Sequence, residues 1–208
     1  MGARVTKSAL VCAALSILWA GAAFAQAQDH LKHITDSWKD TPGSVGLLAI
    51  LEQEAQTAAS HAKYALGDKK DVSTAKTHIP HVQNAIDPSI VTKGPGKGYG
   101  ALKAAQGIAQ HMGFAANAPD ASDGLKMHSV HVITSATNVV DWCNQIMAKS
   151  AKVFLPGMDK DAMQATAEIA DMTQWILNGH DANGDGKISW EKGEGGIAQL
   201  KQHLGFIK

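Results

Sequence analysis

The chain has 208 residues, with 19 basic and 19 acidic side chains. It has no net charge and no basic stripe to suit nucleic acid. Only two cysteines occur, and Cys12 falls in a segment expected to be removed, so an internal disulfide is excluded.

Residues 1–25 read as a secretory signal peptide. Arg4 and Lys7 precede an apolar run from Ala9 to Phe24, which closes on Ala23-Phe24-Ala25, a small-x-small cleavage pattern. The run is short for a membrane anchor, and no second long apolar segment follows. Loss of Arg4 and Lys7 leaves 17 basic residues against 19 acidic ones. The expectation is a near-neutral protein, periplasmic or secreted, with no membrane span after cleavage. Cys143 would then be a lone thiol, read as a small buried hydrophobe.

Residues 26–42 are expected to form an N-terminal lead-in. His30 and His33 lie three apart in it, but closeness to a new terminus argues against them as ligands. A first helix is predicted over 44–66, with Ser44 as N-cap and Gly67 as stop. His61 shares its apolar face with Ala58, Glu54, Leu51 and Leu47. Glu54 could act as a ligand, as an acceptor behind one, or as a carboxylate at the bundle end. A second helix is predicted from about 71–73 to 86. Pro80 within it should kink the helix or restart it, with Thr77 as the cap. Residues 87–98, rich in Gly and Pro, read as a crossover between two hairpins. A third helix is predicted over 99–116, a fourth over 122–153 and a fifth over 159–177. No convincing strand is found.

The strongest signal is a duplication. His61 is followed 17 residues later by His78 and three further on by His81; fifty residues downstream His111, His128 and His131 repeat both intervals. In the same alignment Ala55, Gln56, Ala59, Lys76 and Val82 match Ala105, Gln106, Ala109, Lys126 and Val132. Tyr64 overlies Phe114, and Gly67 overlies Asn117. Gly and Asn are the residues that end helices in the left-handed conformation. The pattern predicts an all-α fold: a duplicated helical-hairpin four-helix bundle over 43–156, with three histidines per copy, followed by a C-terminal unit over 157–208.

In each hairpin the single histidine and the i, i+3 pair lie at similar heights above the turn and on one face. Packed about a pseudo-twofold axis, the two copies would bring His61, His78, His81, His111, His128 and His131 into one bundle. Histidines on an apolar face are often hydrogen-bonded core residues. Burying six without partners is costly, however, and a metal is the simplest common partner. Chance would supply only about half a pair of histidines three apart, and there are three. An imidazole-rich, carboxylate-poor site suits copper or zinc first, then iron or nickel. Met112 and Met127 flank the histidines, where core packing is the expected role.

The arrangement resembles the ferritin-like di-iron plan, in which two helices give one ligand each and two give an i, i+3 pair. Here histidines replace the carboxylates, and no Glu-x-x-His occurs. Two His₃ groups also resemble coupled dicopper centres in ligand type and count. Bis-histidine haem is an alternative without a Cys-x-x-Cys-His attachment site.

A second site lies near the C-terminus. Residues 181–192 resemble an EF-hand calcium loop. Asp181, Asn183 and Asp185 fill positions 1, 3 and 5, Gly186 supplies the turn, the Lys187 carbonyl falls at position 7 and Ser189 at position 9. Position 12 departs from the pattern, since it is Lys192, so the resemblance implies that Glu191 or Glu194 completes the calcium site.

These readings converge on an exported metal-binding protein that stores, delivers or buffers copper or zinc and carries a calcium loop. Its partners are metal ions, with a second periplasmic protein as an open alternative for delivery. A dinuclear oxidase at the same histidines is one competing reading. A structural helical module with calcium as its only ion is another.

Overall fold

The computed structural model describes residues 26–68 and 71–207; the expected signal peptide lies outside them. Seven α-helices and no strand occur among the described residues: α1 Gln26–Thr35, α2 Leu47–Leu66, α3 Val72–Ile86, α4 Ala101–Asn117, α5 Asp123–Ser150, α6 Asp159–Asn178 and α7 Ile197–Gly205. Short 3-10 turns sit at Pro42–Ser44 and Ala151–Phe154. No described helix is long and apolar enough to cross a membrane.

The all-α expectation holds, and two helix starts and one stop fall where capping chemistry places them. Asp71 accepts the Thr74 N–H at 2.9 Å to open α3, and Ser122 accepts the Leu125 N–H at 3.1 Å to open α5. Gly67, at φ 49°, ends α2. Three expectations change. The N-terminal lead-in is a helix, α1, which buries Ala27 and Ile34. Ser44 caps nothing; it lies in the 3-10 turn, and α2 starts after Gly46. A Cβ on Gly46 would sit 2.7 Å from the Ile34 carbonyl oxygen, so α1 and the entry to α2 touch through backbone. Finally, Pro80 does not restart α3, which runs unbroken through it, and the Thr77 hydroxyl donates back to the Ser73 carbonyl.

One core runs through the bundle. Leu51, Ile79, Ile108, Ile146, Ile169 and Ile176 are fully buried in it, each worth about 1.5–3 kcal/mol of burial. Alanines at 55, 58, 62, 104 and 105 keep the helices close. Helix α6, expected to begin a C-terminal unit, packs along α2 and α5 as part of the same core.

The orientation of the two hairpins decides where the histidines go. Glu54 on α2 is fully buried and accepts the backbone N–H groups of Lys97, Tyr99 and Gly100 at 2.9–3.0 Å, at the start of α4. Leu47, two turns earlier on α2, lies against Gly107, two turns later on α4; a Cβ there would meet it at 3.1 Å. Helices α2 and α4 are therefore antiparallel. The turn of the α2–α3 hairpin and the turn of the α4–α5 hairpin lie at opposite ends of the bundle. Asn84 completes the lock on the crossover, accepting the Gly96 N–H at 2.9 Å and donating to the Val91 carbonyl at 2.7 Å.

Candidate metal centres

The histidines form three separate triads, in each of which the three ligand nitrogens lie within 4.8 Å of one another. The hairpin triad is His61, His78 and His81. The N-terminal triad is His30, His33 and His111. The C-terminal triad is His128, His131 and His203. Nine of the ten histidines of the chain are thus used.

The single six-histidine cluster expected from the repeat is not formed. The first copy closes on itself, as its spacing predicts. The second copy turns outward: His111 faces α1, and His128 and His131 face α7. The antiparallel run of α2 and α4 explains why the copies do not meet. His61 and His111 are separated along the bundle by about 18 residues of helix, on the order of 25 Å. A coupled dinuclear centre made from one His₃ group of each copy is ruled out by the same separation.

All three triads share one construction. An i, i+3 pair on one helix meets a single histidine on a neighbour, and the contacts run through Nδ1. His61 Nδ1 lies 3.2 Å from Nδ1 of both His78 and His81. His111 Nδ1 lies 3.1 Å from that of His30 and 3.3 Å from that of His33. His203 Nδ1 lies 3.3 Å from that of His128 and 3.1 Å from that of His131. The single histidine is followed three residues on by an aromatic: Tyr64, Phe114 or Phe206. Each of these rings packs on the first histidine of the opposing pair, with centroids 5.2–5.5 Å apart. Trp38 lies 4.5 Å from His33, and Trp190 stacks on His131 at 4.0 Å.

These distances fit an ion better than a hydrogen-bond network. A ring nitrogen carries either one proton or one in-plane lone pair, so the central Nδ1 can satisfy one neighbour and not two. An ion with bonds of 2.0–2.1 Å and tetrahedral angles places its nitrogens about 3.3 Å apart, close to the separations of the central nitrogen from each member of the pair. Electrostatics point the same way. His61 is held below the usual imidazole range first by burial, then by His81 and His78; His111 by burial, then His33 and His30. His203 follows by burial, then His131 and His128. His33 and His131 are lowered by burial first and by their pair partner second. Neutral imidazoles are the form that binds metal. Each group offers three ligand atoms among the described residues.

Sequence reasoning passed over His30 and His33 as ligands and did not weigh His203. Their signals were present. His30 and His33 have the same i, i+3 spacing as the two pairs that were chosen. His203-x-x-Phe206 repeats the His-x-x-aromatic step of His61-Tyr64 and His111-Phe114.

The remaining candidates separate cleanly. Glu54 touches no histidine ring and clamps the crossover instead. Cys143 is fully buried, its thiol pushed up by burial and then by the Asp87 charge, as a small core hydrophobe would be. Met112 is core, but Met127 is exposed rather than packed. In the 181–192 loop the Asp181 carboxylate accepts the N–H groups of Gly184, Asp185 and Gly186, Asn183 accepts that of Asp185, and Asp185 that of Lys187. Gly186 has φ 82°, the turn expected of position 6. Glu191 is exposed, whereas Glu194 is buried and accepts the Ser189 N–H at 2.9 Å. Asn138 of α5 pins the far side of the loop, accepting the Gly193 N–H and donating to the Glu191 and Gly195 carbonyls.

No protein-family model, curated protein or solved structure matches this chain. The reading of its function therefore rests on the geometry of these centres.

Proposed function

We propose that the protein is an exported transition-metal-binding protein that holds one copper or zinc ion at each His₃ triad, for storage, delivery or buffering. The observation that carries this reading is that in all three triads the central Nδ1 lies 3.1–3.3 Å from two further Nδ1 atoms, which protons alone do not satisfy. Three neutral nitrogens suit copper and zinc, with nickel and iron next, and disfavour magnesium and calcium. The signal-like segment at 1–25 supports export.

Elemental analysis of the purified protein tests the proposal. Three equivalents of zinc or copper are expected, and one should be lost with each of His61→Ala, His111→Ala and His203→Ala. Wild type without transition metal after incubation with excess zinc or copper overturns it.

A second ion is proposed for residues 181–194. Glu194 sits within the fold and turns toward the loop, which favours it over Glu191 as the acid that replaces position 12, beside Asp181, Asn183, Asp185, the Lys187 carbonyl and Ser189. Calcium is the ion this oxygen set suits. Calcium titration of wild type and Glu194→Gln tests it; equal affinity would contradict the role of Glu194.

A further inference from the structure

We infer that the three centres differ in what they hold: the ions of the N-terminal and C-terminal triads are clamps that dock α1 and α7 onto the α4–α5 hairpin, while the hairpin triad loads without moving anything. The inference rests on the proposed metal binding and concerns its structural consequence.

The contrast lies in connectivity. His61, His78 and His81 sit on helices of 20 and 15 residues that follow one another closely in the chain, Leu47–Leu66 and Val72–Ile86. Chain connection already holds their rings near one another. His30 and His33 meet a histidine 81 and 78 residues away, and His128 and His131 meet one 75 and 72 residues away. An ion at either of these two triads ties a terminal helix to a distant part of the chain.

Outside the triads each terminal helix is held by a short apolar edge and one polar tie: the Ala27 N–H donates to the Asp120 carboxylate at 3.1 Å in α1, and Lys201 pairs with Glu52 in α7. Helices α1 and α7 have 10 and nine residues, too few to persist as isolated helices in water. Each buries only two side chains fully, Ala27 and Ile34 in one, Ile197 and Leu200 in the other. They do not close on each other. A cavity of about 300 Å³ separates them, with Leu31 and Thr35 on one wall, Leu204 and Ile207 on the other, and Leu125 beneath. Without an ion, each triad sets three ring nitrogens against one another with at most one good hydrogen bond. Opening the terminal helix relieves this. The hairpin triad has no such escape, because both of its helices are part of the core.

The consequence is a protein whose ends report its load. With ions bound, α1 and α7 lie down over the hairpin; without them, the two helices lift and uncover Leu125 between them. A chain that gives up its ions would thereby present a different surface from one that is full.

Hydrogen exchange of the full chain, apo and with three equivalents of zinc, tests this. Amides of 26–35 and 197–205 should exchange at least about tenfold more slowly with zinc, while those of 47–66 and 72–86 change little. His30→Ala/His33→Ala should abolish the zinc effect on 26–35 alone. His78→Ala/His81→Ala should lose one equivalent of zinc and keep both terminal effects. Three equivalents of zinc bound with unchanged exchange in both terminal helices would overturn the inference and leave the metal reading standing. Binding of neither zinc nor copper would overturn both.

Discussion

The α2–α3 and α4–α5 hairpins carry the same histidine spacing and use it differently. In the first, His61 closes on His78 and His81 across its own turn. In the second, His111 turns to α1, and His128 and His131 turn to α7. The same interval of residues thus makes one site within a hairpin and contributes to two sites between a hairpin and the chain's ends. Spacing fixes the height and face of a ligand along its helix; it does not fix which neighbour covers that face. Here the neighbour is decided by the antiparallel run of α2 and α4, set by Glu54 and Gly107.

The strongest way to break this comparison is to unlock the two hairpins. Glu54→Ala removes the acceptor of three backbone N–H groups, two of them buried. Hydrogen bonds to a charged acceptor are worth about 1.5–3 kcal/mol each, and not additively, so a loss of about 3–5 kcal/mol is expected in chemical denaturation. Glu54→Gln should lose less, because its amide oxygen still accepts.

A smaller change separates the sites. His111→Ala deletes the nitrogen that both partners of the N-terminal triad approach. Affinity there should fall more than about 100-fold, beyond the 10–100-fold that loss of an outer-shell group costs. The hairpin triad should be unaffected, which competition against a chelator would show. Equal weakening of all sites would mean that the triads are not independent.

Acidity acts on all three triads together. Five imidazoles are held below their ordinary value of 6.5, chiefly by burial. Folded, they bind fewer protons than unfolded. Their contribution to apo stability is fully present above pH 6.5 and is lost as pH falls through 6.5 toward the folded values. Zinc release should rise over the same range, since each ligand must be neutral to bind. Thermal melts of apo and zinc-loaded protein between pH 7.5 and 5 check both, and the gap between the two melts should shrink toward pH 5.

The mildest expected effect concerns the flanking aromatics. Phe114→Ala uncovers one side of His30 and His111 without touching a nitrogen. Zinc affinity of the N-terminal triad should drop only a few-fold, in line with the 0.5–1.5 kcal/mol of an aromatic contact.

Much of this was legible in the chain itself. The helix starts near Asp71 and Ser122, the stop at Gly67 and the crossover at 87–98 follow from local chemistry, and so does the closure of the hairpin triad; the caps expected at Ser44 and Thr77 do not form. The partners of His111, His128 and His131 do not, because they depend on how distant helices pack. His30 and His33 were discounted for lying near a terminus, yet Ile34 buries their helix against Gly46, a contact visible only in three dimensions. His203 shares the His-x-x-aromatic step of His61 and His111, but its partners are fixed only when α7 lies along α5. Glu54 shares the helical face of His61, but helical phase cannot tell a ligand from an acceptor for backbone two turns away.

The central claim is that three separate ions each sit among three Nδ1 atoms. Anomalous diffraction at the zinc edge from zinc-loaded crystals tests it directly. The account predicts three peaks, at His30/His33/His111, His61/His78/His81 and His128/His131/His203, each with three Nδ1 atoms at 2.0–2.1 Å. Zinc bound elsewhere, with the three triads empty, would contradict it.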